Sequence, residues 1–179
     1  IGYLLMINKK VQQGVGLIEV LVALLILALG VLGFAALQLR AMDAAQEATE
    51  HTVAMNTARD LAERMRVNRT ALSDYKEAIN GNVSVDTCIG TNDITTPKNL
   101  AIPKCDSATM AQHDATEVLA KTSDHGQTII VANCVKSTLN CIYVAWGGTN
   151  ITASDISSCV DTNTGTYVTD SKCLVMEAF

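Results

Sequence analysis

The stretch GVGLIEVLVALLILALGVLGFAALQL, residues 14–39, decides how the rest of the chain is read. It opens on a short lead-in with one acid, Glu19, and then runs from Val20 to Leu37 with no charge. About 20 apolar residues rising ~1.5 Å each span a hydrocarbon layer of ~30 Å. The run closes at Gln38 and Arg40. The polar remainder of the chain reads as cargo on this helix.

Ahead of the run, Lys9 and Lys10 are the only charges of residues 1–14. Basic residues before an apolar span stay on the cytoplasmic side, so the C-terminal bulk is expected outside. The segment reads as a targeting leader, with Met6 the natural start of MINKKVQQG. No small-x-small cleavage site follows the apolar run, and the helical pattern continues past it.

Composition narrows the field further. The chain has 179 residues, net charge −5 and mean hydropathy +0.23, much of which comes from the single apolar run. That length suits one compact domain with an extension. Aromatics make up only 4%, so the folded part needs support besides large core side chains. From Leu72 onward there are six Lys and no Arg against twelve Asp or Glu, a net −6. Such a head lacks the basic face that nucleic acid requires. Arg59, Arg64, Arg66 and Arg69 cluster just before it.

The string Gln13-Gly14-Val15-Gly16-Leu17-Ile18-Glu19-Val20 resembles the class III signal of type IV prepilins and type II secretion pseudopilins. The resemblance implies cleavage after Gly14 by a prepilin peptidase, N-methylation of Val15, and Glu19 as the fifth mature residue. Physical reasoning runs alongside. A carboxylate at the centre of a bilayer costs ~2.5–3.5 kcal/mol, and less near the interface. The freed amine of Val15 on a neighbouring subunit would offset that cost. The plainer alternative is that Glu19 snorkels to headgroups. Gly30 and Gly33 lie inside the span; they weaken the helix by about 1 kcal/mol each relative to Ala and also permit close helix packing.

Helical periodicity persists to about residue 67. Ala54, Ala58, Leu61, Ala62 and Met65 recur at three- and four-residue steps as one apolar face. Asp60 with Arg64, and Glu63 with Arg66, are charge pairs at helical spacing. A helix over 16–68 would be roughly 80 Å long. Its second half needs a cover around Leu61 and Met65. The run Ala58-Arg59-Asp60-Leu61-Ala62-Glu63-Arg64-Met65-Arg66-Val67-Asn68-Arg69 resembles the helix end of the type IV pilus modification proteins, the PilV group of minor pilins. The plainer reading is a helix–head junction whose arginines cap terminal carbonyls.

Residues 73–109 read as a loop, because Asn80-Gly81, Gly90, Pro97 and Pro103 interrupt regular structure. A short helix over 107–121 follows, with Ser107 as N-cap and Met110, Val118 and Leu119 as apolar contacts. Strands are expected at 127–135 (QTIIVANCV), 141–146 (CIYVAW) and 172–179 (KCLVMEAF). Gly147-Gly148 ends the second.

The six cysteines, Cys88, Cys105, Cys134, Cys141, Cys159 and Cys173, all follow the apolar run, as in a disulfide framework of an oxidising compartment. Six cysteines allow fifteen connectivities, among which sequence does not choose. The favoured set is Cys88–Cys105 around the loop, Cys134–Cys141 closing a hairpin, and Cys159–Cys173, since a disulfide-closed C-terminal loop recurs in pilins. Metal binding is disfavoured: there is no Cys-x-x-Cys, and His51, His113 and His125 are not spaced as ligands. Asp161-x-Asn163-x-Gly165 lacks the Glu of a calcium loop and reads as a polar turn. Asn68, Asn82 and Asn150 begin sequons. No nucleophile–base pair, phosphate loop or cofactor motif is present, which points away from catalysis.

The resemblance thus implies an α+β chain with the type IV pilin fold, in which a long N-terminal helix packs on a small antiparallel β-sheet head with disulfides. Its parts are a leader (1–14), a transmembrane and assembly helix (15–39), an amphipathic continuation (40–69) and a head (70–179), the last divided into loop and short helix (70–126) and sheet with C-terminal loop (127–179). The implied role is a minor pilin that primes or joins a type IV pilus. Partners would be major and minor pilins, the prepilin peptidase, the inner-membrane assembly machinery and a tip adhesin. The implied path runs from the bacterial inner membrane to the surface fibre. Alternatives are a type II secretion pseudopilin and an adhesin or DNA-uptake pilin.

Overall fold

The computed structural model describes residues 14, 16–81, 88 and 105–179. Most of the expected leader, Val15, the breakers Gly90, Pro97 and Pro103, and the Asn82 sequon lie outside the described residues. The chain forms two compact units, the second of which is Glu47–Phe179.

Helix α1 is Leu17–Val67. Its last turns carry a buried stripe, Ala54, Thr57, Ala58, Leu61 and Met65, at the spacing that places side chains on one face. Arg64 and Arg66 in the final turn suit the negative end of the helix dipole. Asn68 then leaves helical geometry, and a 3₁₀ turn, Arg69–Ala71, leads into α2, Leu72–Gly81.

Helix α2 corrects the reading of 73–109 as loop. Tyr75, Ala78 and Ile79 are buried at three- and four-residue steps, so the segment has a core face of its own. Asn80-Gly81 does not break the chain there; it forms the final residues of the helix, where Gly is favoured.

Helix α3 is Ser107–Asp124. Its N-cap is Asp106 rather than Ser107: Asp106 Oδ1 accepts from Thr109 N at 2.8 Å and from Thr109 Oγ1 at 2.6 Å. These bonds hold the Asp106 carboxyl below its usual range. The buried residues of α3 are Ala111, Ala115, Val118 and Thr122; Met110, expected inside, is 39% exposed.

Strands β1 (Gln127–Asn133), β2 (Asn140–Trp146) and β3 (Cys173–Glu177) form an antiparallel sheet in the order β1-β2-β3. Ile129, Val144 and Leu174 are in register, as are Ile130, Tyr143 and Val175. Alternation sends the first row toward the helices and the second to the opposite face. On the helix face, Ile129, Val131, Ile142, Val144, Trp146 and Leu174 join the stripes of α1, α2 and α3. On the other, Ile130, Tyr143 and Ala145 pack with Ile151, Cys159 and Val160 from the β2–β3 connection. A sheet covered on both faces explains why β2 is buried almost throughout.

Both free edges of the sheet are met by side chains. On β1, Asn80 Nδ2 donates to Val131 O at 2.8 Å, and Val131 N donates to Asn80 Oδ1 at 3.1 Å. One helical turn earlier, Lys76 Nζ donates to Asn133 Oδ1 and Asn140 Oδ1. On β3, Val175 N donates to Tyr167 Oη at 3.0 Å. Gly147, which ends β2, has φ +62 and lies against Lys172; a Cβ there would sit 3.0 Å from Lys172 Cδ.

Candidate functional site

Glu19 lies in the first turn of α1, and its backbone N–H donates to Gly16 O at 2.9 Å. An acid in the first turn offsets the positive end of the helix dipole, worth about 0.3–1 kcal/mol at an exposed site. Gly14 is exposed. From Leu17 to Met42 every large apolar side chain is exposed, from 46% at Val22 to 86% at Leu17. By length and composition the helix is apolar enough to cross a membrane. The helix runs unbroken through Gly30 and Gly33, with open space at both Cβ positions. A bare apolar surface of this extent needs lipid or protein around it.

The head is anchored to α1 at Glu47 and Glu50. Glu47 accepts from Trp146 Nε1 at 3.2 Å and pairs with Lys172 Nζ at 2.9 Å. Gln127 Nε2 donates to the Glu50 carbonyl at 3.2 Å. These contacts bring the starts and ends of strands distant in sequence to one turn of α1.

Farther along, Arg64 centres a network that joins all three helices. Its Nε meets Asp60 at 2.9 Å, and Nη1 meets Asp114 at 2.5 Å and Glu117 at 2.8 Å. Lys121 holds the other oxygen of Asp60 at 2.9 Å. Tyr75 Oη from α2 donates to Asp114 Oδ2. Burial alone would lower the Arg64 pKa; its three carboxylate hydrogen bonds outweigh that and raise it. Burial, reinforced by Asp114, pushes the Tyr75 phenol up. Burial opposes the shift at Asp60, but Lys121 and Arg64 hold its carboxyl below 3.8. Of these links, spacing reveals Asp60–Arg64 alone; Asp114 and Glu117 lie 50 and 53 residues away from Arg64. The carbonyl-capping alternative applies to Arg69, whose Nε donates to Arg66 O at 3.3 Å.

Disulfides join Cys88 to Cys105, Cys134 to Cys141 and Cys159 to Cys173. The second sits at the closing end of the β1–β2 hairpin, where Cys134 N donates to Leu139 O at 2.9 Å. The third ties the β2–β3 connection to the start of β3, under the second sheet face. At the turn that follows Val160, Asp161 Oδ1 accepts from Asn163 N at 2.7 Å, so the carboxylate serves the turn's own backbone. Gly165, at φ +79, completes it. No group of three metal-ligating side chains occurs among the described residues.

Comparison with known families adds two matches. The prokaryotic N-terminal methylation motif matches residues 9–35, and the type IV pilin Tt1218 family matches residues 36–116. Together the two matches span residues 9–116 and support a type IV pilin. No curated protein and no solved structure matches it. The two matches abut at Ala35–Ala36, within α1, so the motif and the pilin region share one helix. A long apolar helix with a small antiparallel sheet and disulfides is the type IV pilin fold. Pilins are structural subunits. A pilin with an N-terminal methylation motif implies processing by a prepilin peptidase and assembly with other pilins.

Proposed function

We propose that this pilin is a minor pilin of the PilV type, which primes or joins a type IV pilus. In this reading residues 1–14 are removed after Gly14 and Val15 becomes the N-methylated first residue. Residues 15–39 then hold the subunit in the inner membrane as a single pass, N-terminus cytoplasmic, until it enters the surface fibre. Glu19 pairs there with the freed amine of a neighbour. Major and minor pilins, the inner-membrane assembly machinery and a tip adhesin are its partners.

The observation that carries the reading is the apolar surface of α1 from Leu17 to Met42, left bare within the chain and headed by the methylation motif. The Arg-rich segment 58–69 supports the PilV type over a secretion pseudopilin. N-terminal mass analysis in peptidase-competent cells is expected to find N-methyl-Val15; a retained leader would refute the processing. Deleting the gene should reduce surface piliation and leave type II secretion intact, and the reverse result would assign a pseudopilin. Glu19→Ala should enter the membrane normally yet fail to enter fibres.

A further inference from the structure

The outer edge of β1 is met only in part. In an antiparallel sheet the residues of an edge strand turn their N–H and C=O alternately toward the neighbouring strand and outward. Val131 turns outward: its N–H and C=O both bond to the side-chain amide of Asn80. Ile129, two residues back, therefore turns outward as well. Its N–H and C=O have no hydrogen-bond partner on that side among the described residues, although Ile129 is only 3% exposed. Buried backbone groups are rarely left unpaired.

A cleft of about 410 Å³ runs beside this stretch of β1. That volume lies in the range of ligand pockets. Ile79 of α2 and Leu119 of α3 line it on the helix side of the sheet, and Ile130 and Ile151 on the other. No lining residue is charged. Gln127, the next outward residue of β1, lines the same cleft and is 5% exposed. Its Nε2 donates to the Glu50 carbonyl, but its buried Oε1 has no partner among the described residues. One donor and two acceptors thus stand unsatisfied within two residues of one strand edge.

The chemistry that fits them is displayed one position along. There the amide of Asn80 gives a donor and an acceptor to Val131, as a residue of an added strand would. Ile129 offers the same pair of groups with no amide in place. We propose that the β1 edge at Gln127 and Ile129 docks a short, extended, uncharged segment of a partner protein, which adds to the sheet as a further strand. In strand addition main-chain hydrogen bonds hold the segment, and its alternate side chains are read on the two faces of the sheet. Here both faces of the incoming segment meet isoleucine or leucine. Asn80 closes the site at Val131 and so keeps the paired stretch short. The proposal concerns the head alone and does not rest on the minor-pilin reading.

The full chain in detergent micelles provides the test, with the capped pentapeptide acetyl-Thr-Val-Thr-Val-Thr-amide as probe. Titration should shift the Ile129 amide resonance saturably, and more than that of Val175 on the opposite edge. The same peptide N-methylated at every residue lacks the donors and should bind roughly tenfold or more weakly. Ala153→Trp, at an exposed position lining the cleft, should fill it and weaken binding to a similar degree. Unchanged thermal unfolding of that variant excludes misfolding as the cause. No saturable shift, equal binding of the N-methylated peptide, or full binding by Ala153→Trp would overturn the proposal. An Ile129 shift that depends on protein concentration without peptide would assign the edge to a second copy and overturn it as well. Leader processing and fibre entry are not read by this assay, so their failure is scored separately.

Discussion

The two halves of α1 are built from one helical backbone but face different surroundings. Between Val20 and Leu37 the helix is apolar on all sides, and every large apolar side chain from Leu17 to Met42 is exposed. Between Ala54 and Met65 it is apolar on one stripe only, and that stripe is buried against α2, α3 and the sheet. The first half relies on material outside the chain for its cover. The second has its cover encoded downstream. Helix propensity does not separate the halves; the distribution of apolar residues around the axis does.

The sharpest test substitutes leucines in each half. Leu61, fully buried, should cost about 3–4 kcal/mol on Leu61→Ala, read by thermal or denaturant unfolding of the head. Leu25→Ala, at a site 54% exposed, should leave that transition within about 0.5 kcal/mol. Equal effects would erase the distinction. Next, replacing both Cys159 and Cys173 by Ser frees a loop with a sequence separation of 14, and should cost about 3 kcal/mol in the head. Retained stability would mean that packing alone holds the second sheet face. Arg64→Met strands the carboxylates of Asp60, Asp114 and Glu117 and should cost about 2–3 kcal/mol, less than a fully buried pair because Arg64 is 23% exposed. In a double-mutant cycle Arg64 and Asp114 should couple, whereas Arg59 and Asp114 should not.

The smallest effect is pH dependence. The Asp60 carboxyl is held below 3.8 in the folded chain. Its contribution is therefore present above about pH 4 and is lost as pH falls through the folded value. The stability gap between the wild type and Asp60→Asn should narrow on acidification from about pH 5 to pH 2.5. A gap that widens would reverse the assigned sign.

Sequence made the unlike halves of α1 visible because periodicity is local information. It also located the three strands, to within one or two residues at most ends, from β-branched runs bounded by turns. Helix α2 escaped because Asn80-Gly81 signals a break, and position within a helix decides whether that break is internal or terminal. Asp106 escaped as the cap because Asp and Ser are both good caps and stand side by side. The Arg64 network was half hidden for a different reason. Asp60 is one turn away on the same helix, while Asp114, Glu117 and Tyr75 meet it only once the head has folded. No spacing rule reaches across 50 residues.

The side chains seated on the sheet edges have a consequence for life in a crowd. Subunits that assemble side by side meet at very high local concentration, where an open strand edge would recruit its neighbour's and spread. Here Asn80 takes both backbone groups of Val131 on the β1 edge, and Tyr167 takes Val175 N on β3. At those two points the sheet edges are closed to pairing with a neighbour's strand.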